Sequence, residues 1–263
     1  MLLTVTHTTR YQYAEPVARS TQYIRLSPIT SNRQLVHKWD VKLPVESVTM
    51  NDSFGNYTHV LTYDKPHDSI EIRARGQVEV NSVDEGEPAG SVNPMVFLRR
   101  TPLTQVDAAI LEFITPFRAM VKSRPLMGVT ELMGAVLEKM PYTAGSTSVE
   151  TTAAQSFALG KGVCQDHSHV FLACCRELQV PARYVSGYVY SSNREEMASH
   201  AWVEAWLNNR WVSFDISNAK AAGGAHIKLA VGLDYLDACP VRGVRLGGGE
   251  EQLSIEAQVN VDQ

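Results

Sequence analysis

Three side chains in this sequence have the types and spacing that do covalent chemistry: Cys164, His200 and Asp215. Cys164 closes the run Gly160-Lys-Gly-Val-Cys164 and leads into an apolar helix read at 167–178. At such a junction the unpaired N–H groups and the positive end of the helix dipole favour thiolate over thiol. The thiolate is the attacking form, and a free thiol with a pKa of ~8.5 supplies little of it at neutral pH. Cys174 and Cys175 fall mid-helix among Phe171, Leu172 and Leu178 and read as small apolar core residues.

A thiolate nucleophile needs a general base, and the base needs an acceptor to orient it. Strands read at 200–207 and 211–217 are joined at Asn208-Asn209. A two-residue turn sets Leu207 opposite Arg210, Trp206 opposite Trp211 and Trp202 opposite Asp215. Alternation then puts His200, Trp202, Glu204 and Trp206 on one face with Trp211, Ser213, Asp215 and Ser217. His200 becomes the diagonal neighbour of Asp215, within side-chain reach. An isolated histidine and carboxylate on a strand face is also an ordinary surface pair. Downstream of a helix-capping cysteine, the triad reading is the stronger one.

Other residues weigh less. Cys164, His167 and His169 are ligand types, but on a helix 167 and 169 point apart, and no Cys-x-x-Cys or His-Glu-x-x-His partner set occurs elsewhere. No metal and no cofactor is expected, and His169 reads as a hydrogen-bonded core histidine. An oxyanion hole is expected at the Cys164 backbone N–H, with Tyr142 as a second donor. Trp202, nearest the dyad, is expected to contact substrate, whereas Trp206 and Trp211 pair across the hairpin.

The elements that must position these groups fall into two blocks. Residues 2–13, 21–26, 36–43, 56–63 and 69–80 read as strands, rich in Val, Ile, Thr and Tyr and separated by turn residues. Short strands at this spacing favour an antiparallel β-sandwich or small barrel over 1–81. Residues 82–94 are rich in Gly, Pro, Asp, Glu and Ser and read as a linker. The block from 95 to 263 opens with a helix around Val106, Ile110 and Ile114, for which Thr104 is the expected N-cap. A second helix spans 129–140 and stops at Pro141, and Thr152 with Gln155 makes a capping box for a third that closes at Gly160. Strands at 182–190 and 252–261 complete the pattern, the last one expected to pack back toward the first block.

Net charge is −4, with 44% hydrophobic and 20% charged residues. That is ordinary for a globular protein and offers no basic surface for nucleic acid or an anionic membrane. The N-terminus lacks a charged region followed by an apolar one, and no apolar run approaches ~20 residues. Four cysteines, two of them adjacent, are poorly laid out for a disulfide framework, so the expected compartment is the cytoplasm.

Thr151-Thr-Ala, Gly162-Val-Cys-Gln-Asp-His-Ser-His169, Pro181-Ala-Arg-Tyr-Val-Ser-Gly-Tyr188, Ser199-His-Ala-Trp-Val-Glu204 and Trp211-Val-Ser-Phe-Asp215 resemble the core of the transglutaminase-like superfamily. Tyr11-Gln-Tyr, Pro16-Val, Ser20-Thr-Gln, Arg25-Leu-Ser-Pro28 and Asp52-Ser-Phe-Gly-Asn56 resemble the N-terminal β region of its bacterial members, some of them described as candidate cysteine proteases. His226-Ile-Lys-Leu-Ala-Val-Gly-Leu-Asp-Tyr235 and Pro240-Val-Arg-Gly243 extend the likeness over nearly the whole chain. It implies an α+β architecture, a β-sandwich followed by a papain-like catalytic core. It also implies that Cys164 is the nucleophile, His200 the base and acid, and Asp215 the orienting carboxylate. The substrate class is then a peptide or protein amide, cleaved through a thioester on Cys164. Transfer of the acyl group to a lysine amine, as in cross-linking transglutaminases, is the alternative within the same chemistry. A non-catalytic binding scaffold is the alternative outside it. Two departures stand out: His167 where the family more often has an aromatic or apolar residue, and Ile216-Ser217 in place of a common Pro-Thr.

Overall fold

β1 (Leu2–Ile24) organises the first half of the molecule. In the computed structural model, which describes residues 1–81, 86–191 and 198–262, this strand is 23 residues long. At about 3.3 Å per residue it would reach roughly 75 Å if straight. It bends instead. Leu3, Val5, His7, Thr9, Tyr11, Tyr13 and Val17 are buried at odd positions, then Ser20, Gln22 and Ile24 at even ones. The phase changes where the register slips between Val17 and Arg19, because one extra residue in a strand flips every later side chain.

The two halves of β1 therefore take different partners, all antiparallel. Its first half lies between β5 (His67–Val80) and the last strand of the chain, Glu251–Val261. Its second half lies between β4 (Tyr57–Tyr63) and the penultimate strand, Val241–Gly247. β2 (Gln34–Lys42) and β3 (Ser47–Asn51) complete a seven-stranded sheet in the order β2-β5-β1-β4-β3. The antiparallel β unit expected over 1–81 is thus one sheet that turns a corner along β1, and the strands read at 2–13 and 21–26 are a single element.

Five helices come next: α1 (Ala108–Ile114), α2 (Arg118–Ser123), α3 (Pro125–Lys139), α4 (Ala153–Leu159) and α5 (Cys164–Glu177). α1 is capped by Asp107, whose carboxylate accepts the Ile110 N–H at 2.9 Å. Thr104, the expected cap, instead accepts a hydrogen bond from Arg176 at 2.7 Å. The Thr152–Gln155 capping box and the left-handed Gly160 (φ 63°) bound α4 as the sequence implies. α5 is buried over the whole stretch from Asp166 to Arg176. Val170, Phe171, Cys174 and Cys175 share one core with Val129, Val136 and Phe157 of α3 and α4.

The second sheet, in the order β8-β7-β6-β9, consists of β6 (Ala182–Val189), β7 (Ser199–Leu207), β8 (Arg210–Phe214) and β9 (His226–Gly232). Ala201, Val203, Ala205 and Leu207 of β7 face the α5 core, and the intervening residues face the other way. After α6 (Tyr235–Ala238), the chain returns to the first sheet as β10 (Val241–Gly247) and β11 (Glu251–Val261).

The two sheets are tied together by side chains. Gln34 donates to the Lys228 carbonyl and accepts its N–H, both at 2.8 Å. Asn56 does the same for Val231 at 2.7 and 2.8 Å. Two side-chain amides thereby satisfy the open edge of β9 as a neighbouring strand would. Residues 82–85 of the expected linker lie outside the described residues. The remainder of that segment is anchored: Glu87 exchanges backbone hydrogen bonds with Trp211 at 3.0 and 2.7 Å, docking residues 86–94 against β8. The linker reading rests on a scarcity of large apolar residues, and Glu87 is buried by charge pairing instead.

Candidate active site

Cys164 is the first residue of α5, preceded by Val163 in extended backbone. Asp166, two residues into the first turn, accepts the Val163 N–H at 2.9 Å and the Thr147 hydroxyl at 2.7 Å. Gly162 permits this: a Cβ there would lie 2.6 Å from the Asp166 Cβ. The helix start and the loop before α4 are thus locked to each other, with Cys164 half-buried at the junction. The other thiols are buried, and burial pushes Cys239 up to about 11 and Cys175 to about 12.

The hairpin has the register read from its letters. Leu207 pairs with Arg210 and Trp206 with Trp211. Asn208 and Asn209 have φ of 51° and 62°, the left-handed pair that a two-residue turn between twisted strands requires. His200 Nε2 consequently lies 2.9 Å from Asp215 Oδ1. Cys164 is near enough to the same imidazole to favour its protonated form.

Burial alone would disfavour the imidazolium of His200. Hydrogen bonds to Asp215 and Cys164, and the charges of both, outweigh it and raise the ring to about 10. Burial likewise opposes the charge of Asp215, yet its hydrogen bonds to His200, His226 and Asn218 hold the carboxyl well below the usual range. Each carboxylate oxygen has two nitrogens close by. Oδ1 stands 2.9 Å from His200 Nε2 and accepts the Asn218 N–H at 3.3 Å. Oδ2 takes Asn218 Nδ2 at 2.7 Å and His226 Nε2 at 2.9 Å. A fully buried carboxylate needs that many partners to stay charged.

The remaining residues singled out by sequence separate into two groups. Tyr142 forms a strand-like bridge with Gly162, two residues before Cys164, and is 55% exposed, at the rim of the site. Trp202 is different: it is 0% exposed, which removes it from direct substrate contact. Its indole lies 6.3 Å from the His200 ring at 27° and 5.2 Å from the His226 ring at 76°. The face shared with the dyad is covered by other parts of the chain, so Trp202 is a wall behind both imidazoles.

His167 and His169 do not converge on Cys164 as ligands. His167 Nε2 donates to the Met140 carbonyl at 2.6 Å and Nδ1 accepts from the Ser217 hydroxyl at 2.9 Å. His169 Nε2 accepts the Tyr235 N–H at 3.2 Å, and burial lowers that ring to about 4. His200, Asp215 and His226 do bring donor atoms within 4.8 Å of one another. Their N···O separations are hydrogen-bond lengths to two different oxygens. Two ligand atoms about 2.1 Å from one tetrahedral zinc would stand roughly 3.4 Å apart.

Residues 118–216 match the transglutaminase-like superfamily and residues 3–79 match the bacterial transglutaminase-like N-terminal region. The chain carries both regions of a bacterial transglutaminase-like protein. An uncharacterised protein of Mycobacterium leprae is 26% identical over 276 residues, covering 97% of each chain. One from Mycobacterium tuberculosis H37Rv is 27% identical over 289 residues, covering 98% of this chain and 91% of its own. The crystal structure of a candidate cysteine protease from Cytophaga hutchinsonii superposes on 100% of this chain and 91% of its own, with a TM-score of 0.78 at 19% identity. That likeness shows a shared fold.

Beyond Trp202, the transglutaminase-like core holds a buried ion cluster. Glu204, 0% exposed, accepts from Arg183 Nε at 2.7 Å, Lys228 Nζ at 3.0 Å and Arg33 Nη1 at 3.3 Å. Lys228 and Arg183 also pair with Glu87. Arg33 and Glu87 come from outside the matched core, so the N-terminal region and the segment after it complete its charge balance. Neither the role of His226 nor this cluster emerges from the sequence pattern. The available signal is slight: a histidine opening the apolar run Ile227, Leu229 and Val231, two residues before a lysine.

Proposed function

We propose that this chain is a thiol hydrolase of amide or peptide bonds, with Cys164 as nucleophile, His200 as general base and acid, and Asp215 as the carboxylate that orients His200. The observation that carries the reading is His200 held between Asp215, at 2.9 Å, and Cys164 at the first turn of α5. The Cys164 thiolate attacks the carbonyl carbon and forms a C–S bond. The oxyanion that develops faces the Cys164 backbone N–H, which has no carbonyl partner within the helix. Tyr142 is the rim group proposed as second donor. Collapse breaks the C–N bond while His200 passes its proton to the leaving amine, leaving a thioester. Water then attacks with His200 taking its proton, and the acid departs as the thiolate is restored.

Water is preferred over a lysine amine as acceptor because an amine needs a dedicated site that excludes water. The N-terminal sheet positions substrate or supports the core, and adds no chemistry of its own. Four free cysteines, three of them buried, fit a reducing compartment such as the cytoplasm. Among the described residues, no helix is long and apolar enough to cross a membrane. A peptide library incubated with the protein, with and without a primary amine, and read by mass spectrometry tests the reading. Cleaved or deamidated peptides in both arms are expected. Amine adducts alone would make the chain an acyltransferase, and unchanged peptides in both arms would remove the hydrolase reading.

A further inference from the structure

Asp215 is shared by two imidazoles, and the triad uses only one of them. His226, whose side chain is 1% exposed, reaches the carboxylate from β9, at the far edge of the sheet from β8. The strands between are crossed where β6 has no side chain. Gly187 pairs with His200, and a Cβ on it would meet the Trp202 ring at 2.7 Å and the Ile227 carbonyl at 2.0 Å. A glycine inside a strand marks such a close approach. Trp202 lies in this gap, with its indole edge-on to the His226 ring.

Both nitrogens of His226 face acceptors. Nδ1 lies 3.0 Å from the Gly223 carbonyl and Nε2 lies 2.9 Å from Asp215 Oδ2. The Gly223 carbonyl fixes the ring plane, so the Nε2–H is aimed at one oxygen of Asp215. The other charged or titratable groups about the ring are His200, at 6.0 Å between ring centres, and Lys228 farther along β9, which pairs with Glu87 and Glu204.

We infer that His226 is a positioning residue for the proposed triad, its Nε2–H holding Asp215 Oδ2 so that Oδ1 stays on His200. A carboxylate bound only through Oδ1 and Asn218 can swing about its χ2 bond, which for Asp is broad and roughly two-fold. His226 closes that freedom from the side opposite His200. Without it, Asp215 stabilises the His200 imidazolium less, and the thiolate–imidazolium pair forms at higher pH.

The inference rests on the triad reading, and the test separates the two. Iodoacetamide alkylation of Cys164 is measured against pH in the full-length protein, with His200→Gln, His226→Phe and His226→Gln alongside wild type. His200→Gln reports the triad itself and should abolish the low-pH limb of the profile. His226→Phe removes the donor from a similar ring and should move that limb up by about one pH unit, a tenfold loss of rate below it. His226→Gln, which restores an N–H donor, should recover most of the loss at unchanged thermal stability. Should the phenylalanine variant fail to fold, His226→Met is read in its place. A wild-type profile in the folded donor-less variant, with the limb lost in His200→Gln, overturns the inference and leaves the triad. A wild-type profile in His200→Gln overturns both.

Discussion

His167 and Ser217 are hydrogen-bonded to each other, Nδ1 to Oγ at 2.9 Å. His167 on α5 spans from the Met140 carbonyl to the turn after Asp215, tying the nucleophile's helix to the hairpin that carries the carboxylate. Burial holds His167 below its ordinary pKa, as suits a neutral ring that donates at Nε2 and accepts at Nδ1.

Ser217→Ala removes the donor and leaves a buried ring nitrogen unpartnered, a loss of about 1–3 kcal/mol. His167→Phe/Ser217→Ala should lose less than the sum of the two single changes, because each single change already removes the same His167–Ser217 bond. Urea midpoints for the three variants check this. Strict additivity would show that the bond contributes nothing.

Glu204→Gln should be the more damaging change. It leaves Arg33, Arg183 and Lys228 around a buried site with Glu87 as the remaining anion. Breaking a buried ion pair from one side costs about 3–5 kcal/mol. Thermal unfolding measures it, and a melting temperature within error of wild type contradicts the assigned charge pairing.

Acid should weaken the fold through its neutral histidines. Burial lowers His7 and His169 from 6.5 to about 4. In the unfolded chain both take up protons near 6.5, while the folded state resists until about 4. The unfolded state thus binds more protons in that window, and stability falls as pH drops from 6.5 toward 4. The raised pKa of His200 has the opposite sign: its contribution is present below 6.5 and is lost as pH rises toward 10. Urea unfolding at a series of pH values from neutral to acid checks the first effect, and a midpoint that rises on acidification contradicts it.

Residues 95–263 expressed alone should not fold as a soluble monomer, although they contain every group of the proposed triad. β10 and β11 pair with β1 and would lose their partner, leaving unpaired backbone edges on strands that already carry the exposed Val244, Leu246, Leu253 and Ile255. Gln34 and Asn56 would no longer satisfy the edge of β9. Size-exclusion chromatography of the fragment is decisive. A monomeric fragment with native circular dichroism would show that the two sheets are independent.

The features legible in the sequence are those that short-range geometry determines. Asn208-Asn209 fixes the hairpin register, and the register alone places His200 beside Asp215. The capping box at Thr152 and the glycine at 160 bound α4 for equally local reasons. His226, Trp202 and Glu87 escape because their surroundings are set by elements distant in sequence. Trp202 alternates like a surface residue along β7, and only the packing of β6, β9 and Phe54 over it makes it buried.

Asp215→Asn should leave the fold intact and lower kcat by up to ~10⁴ on any substrate the library identifies, the size of the corresponding loss in serine proteases. An amide can neither hold His200 in the required tautomer nor stabilise its imidazolium. Steady-state kinetics with a circular dichroism control checks it, and unchanged kcat would make Asp215 a structural residue of the turn.

The central claim is that Cys164 forms a thioester with the help of His200, and trapping the acyl group tests it most directly. Native protein is mixed with p-nitrophenyl acetate at pH 6, quenched in acid and digested, and the cysteine peptides are weighed. The account predicts one acetyl group per chain on Cys164, none on Cys174, Cys175 or Cys239, and little acylation in His200→Gln. Acetylation of Cys164 at the same rate in wild type and in His200→Gln would contradict it, since the sulfur would then react without the imidazole beside it.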